Sequence, residues 1–356
     1  MKYYIVMQQD SVLVMAHQHG RWQLDIRLEG LPVNCIATDP HIPERVYCGT
    51  FGKGLWRSSD AGETWEPVGE GITHPEIMSV AVSQAERVGK YGVVWAGTEP
   101  SAVFRSEDGG NTWQERPALL DLPSRPTWSY PPRPHTHHVR WIQPDPLVPE
   151  RLFVAIEQGG VMRSLDNGLT WEDRKPGAQL DGHSMKMHKL APGRLYEAAG
   201  GEKPEFVDEP LGRYVVMQKG GYAETRDGGA TWETQTEGFG HHYLWSVAVD
   251  PGNADTVLVS ACRGPEQAHR PPTAESFLYR RTAGTPWQLV SEGLPEARGS
   301  LVYDLATNEA EPGVFYAATN RGAFRSADAG QSWEKLALAW PERYAKMHVR
   351  GTAIVP

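Results

Sequence analysis

The sequence predicts an all-β fold, a seven-bladed β-propeller, and two observations carry that prediction. The first is a phrase, Ser-x-Asp-x-Gly-x-Thr-Trp, that recurs along the 356 residues. It runs from Ser58 to Trp65, Ser106 to Trp113, Ser164 to Trp171, Thr225 to Trp232 and Ser326 to Trp333. A worn copy from Arg280 to Trp287 keeps Gly284 and Trp287, and a remnant around Gly20, Arg21 and Trp22 keeps less. The second observation is spacing. Tryptophans at 22, 65, 113, 171, 232, 287 and 333 are separated by 43 to 61 residues. From Trp333 through the C-terminus and back to Trp22 is 45 residues, one more repeat. Repeats of this length mean an array or propeller, and a matching wrap-around step predicts a closed ring.

The elements follow in order. Each repeat reads strand A, an Asp-Pro turn, strand B, a loop, strand C, the recurrent phrase and strand D. The first blade shows it as residues 34–38, the turn Asp39-Pro40, then 45–50, 54–58 and 65–68. Strand A recurs at 78–82, 139–142, 185–188, 245–249 and 303–306. The last copy, 349–354, has no B, C or D strand behind it; residues 2–8, 12–16 and 22–28 supply them. Blade seven is therefore expected from about residues 1–29 plus 346–356, within one domain spanning 1–356. Such a shared blade ties a ring shut and removes the open edge. The alternative is a six-bladed ring with an extra strand.

The phrase follows short apolar strands ending in an aromatic residue and arginine, such as Leu55-Trp56-Arg57 and Val103-Phe104-Arg105. It reads as a hairpin turn, with Asp and Ser/Thr side chains bonding backbone N–H groups and Gly supplying positive φ. The Trp buries a large apolar area beside the next sheet. These are structural roles, since near-copies of one catalytic aspartate in most blades would serve no purpose.

In these phrases the chain resembles the Asp-box (BNR-repeat) propellers, over nearly its whole length. That superfamily includes sialidases, sortilin-type receptors, xyloglucanases and a photosystem assembly factor. The resemblance implies the fold and is nearly silent on activity. A sialidase would bring an arginine triad gripping a carboxylate, an Arg-Ile-Pro near the N-terminus and a Tyr/Glu nucleophile pair. This chain has no N-terminal Arg-Ile-Pro and counts seven repeats where sialidases have six, so a glycoside hydrolase is the least favoured reading. Xyloglucanase-like enzymes pair two propellers around a cleft, and this chain holds one.

Composition narrows the partners. Net charge is −9, and no basic stripe is present, so nucleic acid is not an expected partner. The cysteines Cys35, Cys48 and Cys262 form no disulfide framework. The first ten residues do not read as a signal peptide, and no apolar run approaches a membrane span, so a cytoplasmic location is expected.

The functional face is expected where D-to-A connections and B-to-C loops surround the central channel, because function concentrates on loops held by a rigid scaffold. Three long segments mark it: 115–138, Pro-rich; 200–213, acidic; and 263–276, with Glu266, His269 and Arg270. Eight of 13 histidines fall just before an A strand: His74, His135, His137, His138, His183, His241, His242 and His348. Converging imidazoles can hold a divalent metal or move protons near neutrality. The expected ligand set is His137, His183, His242 and Glu157, around zinc or manganese. Glu99 holds the position in blade two equivalent to Glu157 in blade three. The expected catalytic groups are His138, His241 and Arg140. Arg140, Lys186 and Arg350 share one register of strand A, where they could reach an anionic group. In the adjacent pairs, His137/His138 and His241/His242, one ring should face the mouth while the other packs or bonds to backbone.

Two readings result. One is a metal-assisted hydrolase or lyase acting on a small polar, anionic or carbohydrate-like ligand at the channel mouth. The other is a non-catalytic platform for a protein partner. Convergence of imidazoles favours the first; scattered imidazoles favour the second.

Overall fold

The computed structural model describes residues 1–210 and 212–356. Among them the regular structure is almost wholly β, in seven small antiparallel sheets with the blade pattern of a seven-bladed β-propeller. The chain divides into two compact units. Residues 1–16, 25–182 and 350–355 form the first, and residues 17–24, 183–349 and 356 the second.

In the first unit, blade one orders Val33–Thr38, Val46–Thr50, Leu55–Ser58 and Glu66–Val68. Blade two orders Glu76–Val88, Tyr91–Glu99, Val103–Ser106 and Gln114–Glu115. Blade three has three strands, Val139–Pro144, Leu152–Ile156 and Gly160–Ser164, and its expected fourth shrinks to a bridge between Arg163 and Glu172. The residues after that bridge are diverted to hold the connection that precedes the blade. Asp173 Oδ2 accepts from the Ser124 N–H (2.8 Å), and Arg174 donates to Thr127 Oγ1 (3.0 Å) and the Gly159 carbonyl (2.7 Å). The Val349–Val355 strand lies beside Lys2–Met7, followed by Ser11–Gln18 and Arg21–Arg27, so chain ends share one four-stranded sheet as expected.

The second unit holds blade four, mostly, blade five (Tyr243–Asp250, Asn253–Cys262, Phe277–Arg281 and Gln288–Val290) and blade six (Asp304–Ala306, Phe315–Thr319, Gly322–Ser326 and Glu334–Lys335). Blade four orders Gly182–His188, Ala191–Ala199, Tyr222–Thr225 and Glu233–Thr234. Its expected acidic loop is instead a hairpin, Glu202–Glu209 paired with Gly212–Lys219; Leu211 of that loop lies outside the described residues. The apolar, β-prone run Tyr214-Val215-Val216-Met217 in the second arm lets it pair where charge alone suggested a loop. The Lys203 backbone is left-handed (φ 53°) and Pro204 follows it, so the outer arm is a poor template for a further strand.

The recurrent phrase folds as the sequence predicts. Ser58 Oγ donates to Asp60 Oδ1 (2.8 Å) and accepts from the Gly62 N–H (2.8 Å). Asp60 in turn takes the Thr64 N–H (2.9 Å) and hydroxyl (2.5 Å). The same bonds recur around Asp108, Asp166, Asp227 and Asp328. Gly62 has φ 89°, which a residue with a Cβ would adopt only under strain. The Thr64 hydroxyl and N–H hold the Asp60 carboxyl down at about 2. Its stabilising effect is therefore present above the ordinary carboxylate range and lost as pH falls towards that value. We expect the melting temperature to hold above about pH 5 and fall between about pH 4 and 2, with a shallower fall in Asp60→Asn. An acid slope identical in the variant and wild type would refute this account.

A second repeated joint was not foreseen. The Trp113 N–H donates to the Glu70 carbonyl (3.0 Å), Trp287 to Glu237 (2.8 Å) and Trp333 to Glu292 (3.0 Å). The next residue each time is a glycine with positive φ, Gly71 (97°), Gly238 (94°) and Gly293 (76°). Each presses against the backbone of the same Trp, leaving no room for a Cβ. The following apolar residue completes the joint; Phe239, for one, stacks on Trp287 with centroids 4.7 Å apart.

Candidate functional site

Strand A of several blades begins with a bulge. The ladder shifts between Val33 and Cys35, between Ile77 and Ser79 and between Val139 and Trp141, so Asn34, Met78 and Arg140 are the extra residues. A bulge re-aims a side chain out of the alternating pattern. Asn34 accordingly donates to the Ile77 carbonyl (3.2 Å) and accepts from Arg350 Nε (3.3 Å). The bulge places Arg140 in the same register as Asn34.

In the first unit these strand ends assemble a charged cluster around His138, which is 1% exposed. Its Nδ1 lies 3.3 Å from Glu99 Oε2 and its Nε2 lies 2.9 Å from Glu157 Oε2. Glu99 ends strand Tyr91–Glu99, and Glu157 follows strand Leu152–Ile156, so both leave the B strands of neighbouring blades. Arg133 grips Glu99 with two parallel bonds, Nε to Oε1 (2.6 Å) and Nη2 to Oε2 (2.5 Å). Its guanidinium lies over the rings of Tyr130 (4.6 Å) and Phe51 (5.0 Å). Tyr130 meets His138 edge to face at 4.7 Å. Arg140 Nε stands 3.8 Å from Glu157 Oε2. Glu157 and Asp181 offer carboxylate oxygens within 4.8 Å of each other.

The charges settle each other. Burial pushes the His138 imidazole down, but Glu157 and Glu99 more than offset this and raise it above its ordinary value. Burial pushes Glu99 up, yet His138 and Arg133 hold it down at about 2. Two carboxylates, the imidazole between them and two guanidiniums thus form a compact, mostly buried lattice in which opposite charges alternate. His137 turns away from it and meets Trp128 edge to face at 5.3 Å; burial first, and Arg125 second, lower its imidazole.

The second unit carries a different cluster, built of rings. His183 is fully buried and its Nδ1–H donates to the Leu244 carbonyl (2.6 Å). Its ring lies 4.7 Å from Trp245 and 5.1 Å from Tyr243. His269, ending the short helix Pro265–His269, bonds the Tyr243 hydroxyl through Nε2 (2.9 Å). The same ring sits 4.6 Å from Trp245 and 4.8 Å from His348. His242 Nδ1 bonds the Gly220 carbonyl (3.1 Å). His241 bonds the Tyr279 hydroxyl (2.7 Å) and stacks on Phe277 at 3.9 Å. Burial, then Arg263 and His242, push its imidazole down to about 4.

Of the residues singled out in sequence, the first unit thus brings His138, Arg140 and Glu157 together and sets His137 apart. In the second, His183 joins the ring cluster, while His241 and His242 bond elsewhere. Sequence reasoning missed Arg133, Tyr130, Asp181 and Tyr243. Arg133 had a signal, since it stands between Pro132 and Pro134, whose fixed φ stiffens the segment that aims it.

No protein-family model matches the chain, and no curated protein matches its sequence. Solved structures do match it. The GH74 enzyme of Niastella koreensis superposes with TM-score 0.66 at 17% identity, over 94% of this chain and 52% of that one. The GH74 xyloglucanase of Xanthomonas campestris gives 0.64 at 16% identity, over 94% and 52%. YCF48 bound to D1 peptide gives 0.56 at 17% identity, over 86% and 82%. This chain therefore spans about half the length of those GH74 enzymes. Likeness at such identities establishes the shared propeller fold. No helix among the described residues is long and apolar enough to cross a membrane.

Proposed function

We propose that this chain is a non-catalytic binding propeller that receives an extended segment of a partner protein. One observation carries the reading: His138, at the centre of the charged cluster, faces a carboxylate through each of its ring nitrogens. A general base needs a lone pair directed at the reacting group, and both nitrogens of this ring are turned to buried carboxylates instead. What the clusters present instead are Tyr130, Arg133 and His137 in the first unit, partly exposed, and His269 in the second. Aromatic and arginine side chains of this kind dominate binding hot spots. YCF48, solved with a D1 peptide, is covered over 82% of its length, which fits a lone propeller acting as a peptide platform.

Photo-crosslinking tests this. Benzoylphenylalanine at positions 130 and 269 should yield a discrete protein adduct in cells, whereas the same residue at exposed position 111 should not. Equal labelling at all three positions would overturn the reading.

A second reading rests on the Glu157 and Asp181 pair. Two carboxylates this close can hold a divalent ion such as zinc or manganese, which would acidify a water for hydrolysis. It requires stoichiometric metal in protein purified without a tag, lost in Glu157→Gln.

A further inference from the structure

The second unit contains a cleft of about 750 Å³ that includes none of the clustered histidines. It opens between residues 293–299, which precede blade six, and residues 340–345, which follow it. Phe324 and Lys335 of blade six line it as well. Part of its lining is apolar. Trp340 is pinned through its indole N–H to the Asn320 carbonyl (3.0 Å), with Pro341 beside it and Leu294 also lining the cleft.

Two cations line the same cleft. Arg321 lies over Gly299, where a Cβ would collide with its guanidinium, and donates to the Arg298 carbonyl (3.1 Å). The Lys335 stem lies over Gly322, where a Cβ would come within 2.8 Å of Cε. Glycines at both places therefore leave the room these side chains occupy. Arginines elsewhere, such as Arg57, Arg105, Arg194 and Arg281, are paired with carboxylates. Among the described residues neither Arg321 nor Lys335 makes an ion pair, in a chain with 44 acidic and 35 basic side chains. Two unmatched cations beside an indole amount to a receptor for a negative charge carried on a flat apolar body.

We propose that this cleft binds a ring-shaped organic anion, with the ring against Trp340 and the acid group between Arg321 and Lys335. Glu342, also lining the cleft, repels a second acid group and so limits the ligand to one. The site is independent of the binding function proposed above, since it shares no residue with either cluster.

The test uses 2-naphthoate and its neutral isostere 2-naphthamide, titrated calorimetrically into the full chain. Naphthoate should bind with unit stoichiometry and the amide at least about tenfold more weakly, as loss of a charge-assisted contact implies. The double variant Arg321→Gln/Lys335→Gln should weaken naphthoate by at least about tenfold and leave the amide unchanged. Trp340→Ala should weaken both, and Glu342→Gln should tighten naphthoate. Because Arg321 and Lys335 are exposed, the double variant should melt like wild type. Equal affinity for acid and amide, or naphthoate binding indifferent to the double variant, would overturn the proposal.

Discussion

Removing residues 348–356 is expected to abolish the native monomer. The lost strand, Val349–Val355, is the sheet neighbour of Lys2–Met7, in which five of six residues are buried. Its removal strips the main-chain partners from that strand and uncovers its apolar side. Val349 and Val355 are themselves buried and would cost about 1.5–3 kcal/mol each. Each lost ladder bond adds about 0.5–1.5 kcal/mol, so the total rivals the 5–15 kcal/mol that holds a typical domain folded. An exposed edge of that kind also templates aggregation. Size-exclusion chromatography should show soluble aggregate, and calorimetry should show no cooperative transition near that of wild type. A monomer with an unchanged melt would show that the shared sheet is dispensable.

Replacing Glu99 with Ala should be the most damaging single change in the charged cluster. It leaves Arg133 and His138 without the carboxylate between them, and breaking one partner of a buried pair costs about 3–5 kcal/mol. The pH dependence gives an independent reading. His138 is raised, so its contribution is fully present below its ordinary value and is lost as pH rises through the raised one. Glu99 is depressed, so its contribution is present above the ordinary carboxylate range and is lost as pH falls towards about 2. Wild-type stability should therefore decline at both ends, and both slopes should shrink in the variant. Nitrogen-detected NMR of His138 should show a protonated ring at pH 7 in wild type. A neutral His138 there would remove the basis of this account.

The recurrence of Asp60, Asp108, Asp166, Asp227 and Asp328 made the scaffold legible in sequence, because the turn is local and every bond lies within five residues. The shared sheet was legible for a different reason: the spacing of Trp22 and Trp333 implied strands missing at one end and present at the other. The clusters were harder. Strand alternation distinguishes His137 from His138 but cannot say which one a carboxylate claims. The B-strand ends Glu99 and Glu157 claimed His138, and the bulge at Arg140 shifted the neighbouring register. Arg133 reaches Glu99 across 34 residues that include two strands of blade two, a contact no periodicity encodes. The charges of residues 200–213 point to a loop, whereas the apolar run 214–217 just beyond them lets the segment pair as a hairpin.

The glycine joints bear on how such a chain can change length. Within the first unit, Gly71 seats the Trp113 backbone; within the second, Gly238 seats Trp287 and Gly293 seats Trp333. Each joint has the same two faces, a carbonyl with its glycine on one repeat and an indole-bearing residue on the next. A duplicated repeat would arrive with both faces already complementary to its neighbours, whereas a fragment of a repeat would arrive with one. Gene duplication in this architecture is consequently favoured in whole repeats, since a partial one leaves a seam without its N–H to carbonyl bond, worth about 0.5–1.5 kcal/mol, and without the packing around it. The same currency governs loss of order, since opening one seam frees a repeat from its neighbour while its internal turn stays closed.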